Sequence, residues 1–355
     1  MMQPERRNDA APTPAASPAT PVLEDVARQV RTYLADVLAG MAPRPDPPAP
    51  LPILDEAALA NELFSVITSR TFSYLGREKA EPYRENVVRP LRRRMAAGEP
   101  LRFFYDIGPG YHATTRPGLS SLRYDVGLSE LLILSQVNAL GRRIAALYGP
   151  GARFFLVIDN LCGLRTNDIP LALTEGYVRQ LRRLIEALAL SDRVDLIVES
   201  ERFGVEEYDR LLDAAEVRSP VSDPAPVAID NVERFLGRRC TANEAAERME
   251  RYRRTSAVTD RLVEGLAPDV HMTQRATGAT LGFRPFPGGA QRTQAGELGL
   301  RRTSRGRLRP LLLTSRNVSA YDCVRLELED VLPPPLTHVT FASPRAAGRF
   351  GDDAK

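Results

Sequence analysis

A hydrophobic fraction of 43% across 355 residues leaves material for one large or two modest domains and excludes a disordered chain. The net charge of +3 requires no polyanion, so no nucleic-acid partner is expected. No apolar run reaches the roughly eighteen residues of a membrane helix, and Cys162, Cys240 and Cys323 are too scattered for a disulfide framework or a zinc site. No metal and no cofactor are therefore expected. The polar, Pro/Ala-rich start lacks an apolar signal core, which leads us to expect a cytoplasmic protein.

The first 21 residues, with AAPTPAASPATP, read as a disordered tail. Residues 22–100 read as a helical segment. Helical spacing covers 22–41, and PRPDPPAPLP at 43–52 is an extended linker, since proline neither continues a helix nor donates to a sheet. Asp55 suits an N-cap for a helix to about 69, and a second helix at about 81–97 places RRR toward solvent. An α/β core is expected over 101–260. LRFFYDIG is strand-like and ends in a glycine turn, and a polar loop of 111–124 follows. A helix at 128–148, a strand at 153–158, a polar loop, a helix at 174–190 and a strand at 194–199 complete the core. Strands alternating with helices imply right-handed crossovers and a Rossmann-like, mainly parallel sheet. Residues 244–254, EAAERMERYRR, read as a charged, exposed helix. Residues 261–345 carry short β-prone runs, read as a β-rich C-terminal extension of antiparallel strands that extends or caps the sheet. Residues 346–355 read as a loose tail.

Candidate site residues collect at strand ends, where open α/β sheets bind ligands. Asp159 and Asn160 end the second core strand, and Asn167 and Asp168 lie on the loop beyond. Carboxylates there could grip an ammonium or ribose hydroxyls, and amides could bind a carboxylate. The same residue types also stabilise loops and cap helices. The loop after strand one holds Tyr111, His112 and Arg116: an acid-base group, and an anchor for carboxylate or phosphate. Glu199 ends the third strand, and His271 precedes a later one. Glu130 opens an apolar helix and either faces the cleft or favours the helix N-terminus. Six arginines between 292 and 309 make a basic stretch that could grip a phosphate or an acidic carrier protein, or could be a solvated loop. Lys79 and Lys355 are the only lysines, so lysine-based catalysis has almost no candidate.

RRIAALYGPGARFFLVIDN, Asn167-Asp168 and Tyr177, with Pro109-Gly110-Tyr111, Glu130 and HMTQRATGATLGFRPFP, resemble the isonitrile (isocyanide) synthase family, also called the pyoverdine/dityrosine biosynthesis family. The resemblance spans residues 100–200 and, more faintly, 265–290. It implies a Rossmann-like enzyme of specialised metabolism that condenses an amino acid's amine with ribulose 5-phosphate. Asp159, His112 and Glu130 would then be catalytic. Tyr111, Arg116, Asn160, Asn167, Asp168, Tyr177, Glu199 and His271 would bind substrate. The chain departs from the family where Thr114 stands about at the position of a family lysine. Two other readings stay open. One is an S-adenosylmethionine-dependent transferase or cyclase, with DIGPG under the methionine portion and Asp159 on the ribose. The other is a non-catalytic relative that binds a carrier protein.

Overall fold

The structure is a computed structural model. It describes residues 28, 32, 35–40, 55–73, 75–107, 126, 128–215, 239–272 and 283, and the backbone of four C-terminal strands. Helix α1 (Glu56–Ile67) starts where the Asp55 carboxylate accepts the Ala58 N–H, and it buries Ala60, Leu63, Phe64 and Ile67 at helical spacing. A short helix α2 (Gly76–Ala80) leads into α3 (Arg84–Ala96), which buries Val87, Val88, Leu91 and Met95.

The core is β1 (Leu101–Asp106), α4 (Leu128–Leu147), β2 (Ala152–Ile158), α5 (Asn160–Asn167), α6 (Leu171–Ala187), β3 (Val194–Val198), α7 (Glu199–Arg202), α8 (Val205–Ala214), α9 (Ala242–Leu266) and β4 (Val270–His271). The four strands pair in parallel in the order β3-β2-β1-β4. The α/β class and parallel sheet expected from the sequence are thus present. The connections step outward from β1 to β3 and then return to β1's other side, so strand order reverses between β1 and β4. A reversal of this kind opens a crevice at the carboxyl ends of the strands.

Side-chain alternation gives the sheet two faces. On one, Leu101, Phe103, Tyr105, Phe154, Leu156, Ile158, Val194 and Val198 join a large core with α1, α3, α4 and α6. Helix α4 approaches closely because Gly141 lies over the Phe154 ring, where an added Cβ would sit 3.1 Å from a ring carbon. Helix α6 turns Tyr177, Val178, Leu181, Leu184 and Ile185 onto this face. On the other face, Phe104 and Val157 pack with Leu262 and Val263 of α9.

Several expectations change. LCGLRTN, read as a polar loop, is the helix α5. Helix α6 begins at Leu171 rather than near Thr174. EAAERMERYRR forms the first part of α9 and buries Ala245 alone, while the later part of the helix packs through Thr255, Val258, Leu262 and Val263. The strand β4 extends the sheet in parallel, while β5 (Leu298–Arg302) with β6 (Leu308–Leu312) and β7 (Val324–Leu328) with β8 (Leu336–Phe341) form separate antiparallel pairs. The tails and the 43–52 linker lie outside the described residues. Among the described residues, no helix is long and apolar enough to cross a membrane.

A short strand such as β4 needs more than two ladder positions to hold it. Asp269, just before it, accepts the Arg102 N–H at 2.8 Å and the Arg94 guanidinium at 3.2 Å, and its own N–H donates to the Arg102 carbonyl at 2.8 Å. Arg94 also pairs with Glu99. The arginine run of α3 is therefore not wholly solvent-facing. Removing one member of a largely buried ion pair strands the other. Asp269→Ala is expected to destabilise the protein by about 3 kcal/mol, read as a lower urea midpoint with unchanged slope.

Candidate active site

Three apolar strands end on an acid: LRFFYD, ARFFLVI followed by Asp159, and VDLIV followed by Glu199. The register pairs Asp106 with Val157 and Ile158 with Val198, so Asp159 stands level with Glu199. Alternation then puts Asp106, Asp159 and Glu199 on one face, the face covered by α9. Neighbouring strands are about 4.8 Å apart, so the three carboxyl groups are near neighbours.

Glu199 is fully buried and organises the surroundings. One oxygen, Oε2, accepts the Cys162 N–H at 3.1 Å, and the Leu161 N–H also donates to the carboxylate. The other, Oε1, accepts the Thr259 hydroxyl at 3.1 Å. Glu199 thus caps the N-terminus of α5, whose own N-cap residue, Asp159, makes no side-chain cap bond. Thr255, one turn from Thr259, meets the Cys162 thiol at 3.2 Å.

Asp106 and Asp159 are less well provided for. The Oδ1 atom of each is buried without a hydrogen-bond partner, and so is the hydroxyl of Tyr208 on α8. Tyr208 has no exposed surface and packs with Leu161 and Val258. Native structures satisfy most buried polar atoms, so three orphans around one cluster single it out as the candidate site.

Burial and mutual repulsion raise the affinity of this cluster for protons. Asp106 is pushed well above the usual carboxylate range by desolvation and then by Asp159 and Glu199. Desolvation lifts Asp159 to about 6. Desolvation, with the Asp159 charge second, lifts Glu199 to about 8 against the opposing hydrogen bonds. Cys162 is raised by burial, so its thiol is neutral and unreactive. Among the described residues, no group of three or more His, Cys, Asp or Glu is arranged to hold a metal.

The other expected site residues fall in different places. Tyr111, His112 and Arg116 lie outside the described residues, as does the whole stretch 108–125. Asn160 is buried and structural: its carbonyl accepts the Ser200 N–H at 3.0 Å and its amide donates to the Ser200 hydroxyl at 2.8 Å, tying the end of β2 to that of β3. The expected grouping of Asp159 with Asn167 and Asp168 is corrected by α5, which puts the pairs at opposite ends of a helix, about 13 Å apart. Asn167 ends that helix. Asp168 is its left-handed C-cap, has a 62% exposed side chain, and pairs with Arg248 of α9 at 2.6 Å. Glu130 is buried beside Tyr177, whose hydroxyl donates to it at 3.2 Å. His271 packs against Phe104 on the α9 face, one pleat below Asp106 on the neighbouring strand, and burial lowers its proton affinity. An open depression of about 610 Å3 beside α8 is lined by Phe203, Gly204, Val205, Glu206, Glu207 and Arg210, and none of the strand-end acids lines it.

Sequence reasoning met Asp106 only as part of the DIGPG turn, not as a site side chain, and it missed Tyr208. The signal for Asp106 was the shared ending of three apolar runs on an acid. Tyr208 carries no such signal, because an aromatic at helical spacing reads as core.

A carboxyl whose folded pKa exceeds its unfolded value favours folding only below that unfolded value, and the advantage fades as pH rises to the folded pKa. For Asp159 and Glu199 that window runs from the ordinary carboxylate range near 4 up to about 8. Stability is therefore expected to fall between pH 5 and 8, read as a declining Tm. Asp159→Asn should flatten the decline. A Tm that rises across that interval in the parent protein would contradict the buried cluster.

No protein-family model matches the chain, and no curated protein matches it. A solved structure does: that of the PvcA protein from Pseudomonas aeruginosa, at a TM-score of 0.53 and 19% identity. The likeness covers 79% of this chain and 99% of that one. At this identity the comparison concerns backbone architecture, and the chain shares the fold of PvcA.

Proposed function

We propose that the protein is an isonitrile-synthase-like enzyme of specialised metabolism that acts on an α-amino acid, with a sugar phosphate such as ribulose 5-phosphate as second substrate. The observation that carries this reading is the set of three carboxyls at adjacent strand ends, Glu199 fully buried and Asp106 and Asp159 each with one buried, unpartnered oxygen. The likeness in fold to PvcA supports the isonitrile synthase resemblance of residues 100–200 at the level of architecture.

Condensation of an amine with a ketone needs a base and an acid. The ammonium must lose a proton before its nitrogen attacks the carbonyl, and the resulting carbinolamine must gain one to lose water as the imine forms. Lysine is absent from the α/β core, so these transfers fall to carboxyls. Asp159, at about 6, is largely ionised at neutral pH and suits the base. Both oxygens of Glu199 are taken by the start of α5 and by Thr259, so the proton that Asp159 accepts from the ammonium is the one it returns to the carbinolamine. Glu130 is engaged with Tyr177, so we assign it no proton transfer. Arg116 remains the proposed anchor for an acidic group of the substrate, and His112 a second acid-base group.

Mass spectrometry of the purified protein with pooled amino acids and ribulose 5-phosphate should show loss of both and a new isocyanide. Asp159→Asn is expected to lower kcat about 100-fold while the protein stays folded. No loss of either substrate by the folded parent protein would rule the reading out. Thermal stabilisation by S-adenosylhomocysteine and not by the sugar phosphate would favour the transferase reading instead.

A further inference from the structure

The three unpartnered atoms near the strand tips are of unequal kind. Two are carboxylate oxygens, which accept when ionised, and the third is a phenol, which donates and accepts. They come from three elements: β1, the end of β2, and α8. Glu199 completes the acidic side, but its oxygens are taken by the α5 N-terminus and Thr259. Around the cluster, α5 contributes the neutral Cys162, and α9 contributes the hydroxyls of Thr255 and Thr259. Tyr208 feels the positive charge of Arg165, which is already paired with Asp209. The Oδ1 atoms of Asp106 and Asp159 meet no hydrogen-bond donor.

We propose that Asp106, Asp159, Glu199 and Tyr208 form a subsite for an organic ammonium group, which enters in exchange for a proton held by the cluster. This rests on the reading of the protein as an amine-handling enzyme and specifies the charge state that is recognised. An ammonium has three donors and no acceptor, so it can bond to the free oxygens of Asp106 and Asp159 together. The Tyr208 hydroxyl is then left for an acceptor carried on the same ligand. Without ligand, the acids hold a proton because three buried negative charges without a counter-ion cannot coexist. The ammonium brings the counter-ion, and the proton leaves.

The orphaned phenol makes a distinctive demand on Tyr208→Phe. A buried hydroxyl with no partner costs stability, so its removal should leave the Tm unchanged or raise it. A residue kept only for packing would show no other effect. Here the same substitution should weaken ligand binding.

Isothermal titration of the full chain at pH 7, in Tris and in phosphate, counts protons through the two buffers' different ionisation enthalpies. The probes are the twenty α-amino acids and their N-acetyl derivatives. At least one free amino acid should bind with release of about one proton, and its N-acetyl form should not bind. Asp106→Asn and Asp159→Asn should each weaken that binding tenfold or more. Tyr208→Phe should weaken it severalfold with an unchanged or higher Tm. No binding by any amino acid, binding without proton release, or equal binding of the N-acetyl forms would overturn the proposal. So would a Tyr208→Phe protein that binds normally. The two readings fail separately. Amine binding with proton release but no turnover would sink only the isonitrile reaction. Turnover without proton release would sink only the subsite.

Discussion

Glu199 holds the site together. Its side chain lies wholly inside the protein, yet it sits where three elements meet. Its carboxylate takes N–H groups from Leu161 and Cys162 and the hydroxyl of Thr259. These bonds fix the start of α5 against the end of β3 and both against α9. A helix N-terminus presents unpaired N–H groups and partial positive charge, so an acid from a neighbouring strand is a natural cap. The arrangement also has a cost. The cap places a third carboxyl beside Asp159 and Asp106, and the local proton affinity climbs as a result. Structure and chemistry meet in this one group: the bonds that seat α5 also charge the neighbourhood of the strand tips.

Much of the framework was legible in the sequence because its signals are local. The strand around Phe103 and Phe104 is an apolar run bounded by turn residues, and α6 shows its core stripe from Tyr177 to Ile185. Alternation of such runs led to a parallel sheet. Helix α5 was not legible for a physical reason. Its cap comes from Glu199, forty residues downstream of Asp159, and no window of sequence around LCGLRTN contains it. The direction of β4 was hidden in the same way, because the pairing of Asp269 with Arg94 and Arg102 spans more than half the core.

The candidate site divides along the same line. Asp159 and Glu199 were found because each follows a strand directly. Asn160, Asp168 and Glu130 were found for residue type and position, but the fold uses them elsewhere: as a strand-end tie, an ion pair with α9, and a buried partner for Tyr177. Polar residues near a strand end serve two purposes that composition alone does not separate. What separates them is whether a partner is already present. Asp168 has one in Arg248, whereas one oxygen each of Asp106 and Asp159 has none.

Helix α9 touches this region at three levels: Arg248 at the C-terminal end of α5, Thr255 at Cys162, and Thr259 at Glu199. Contacts spaced over three turns act like the teeth of a rack. A shift of α9 along its axis by a single residue would disengage all three at once, because a rotation of about 100° accompanies each step. The back wall of the strand-tip region is therefore locked in phase with α5. Reshaping it for a different head group would need coordinated changes on both helices rather than one.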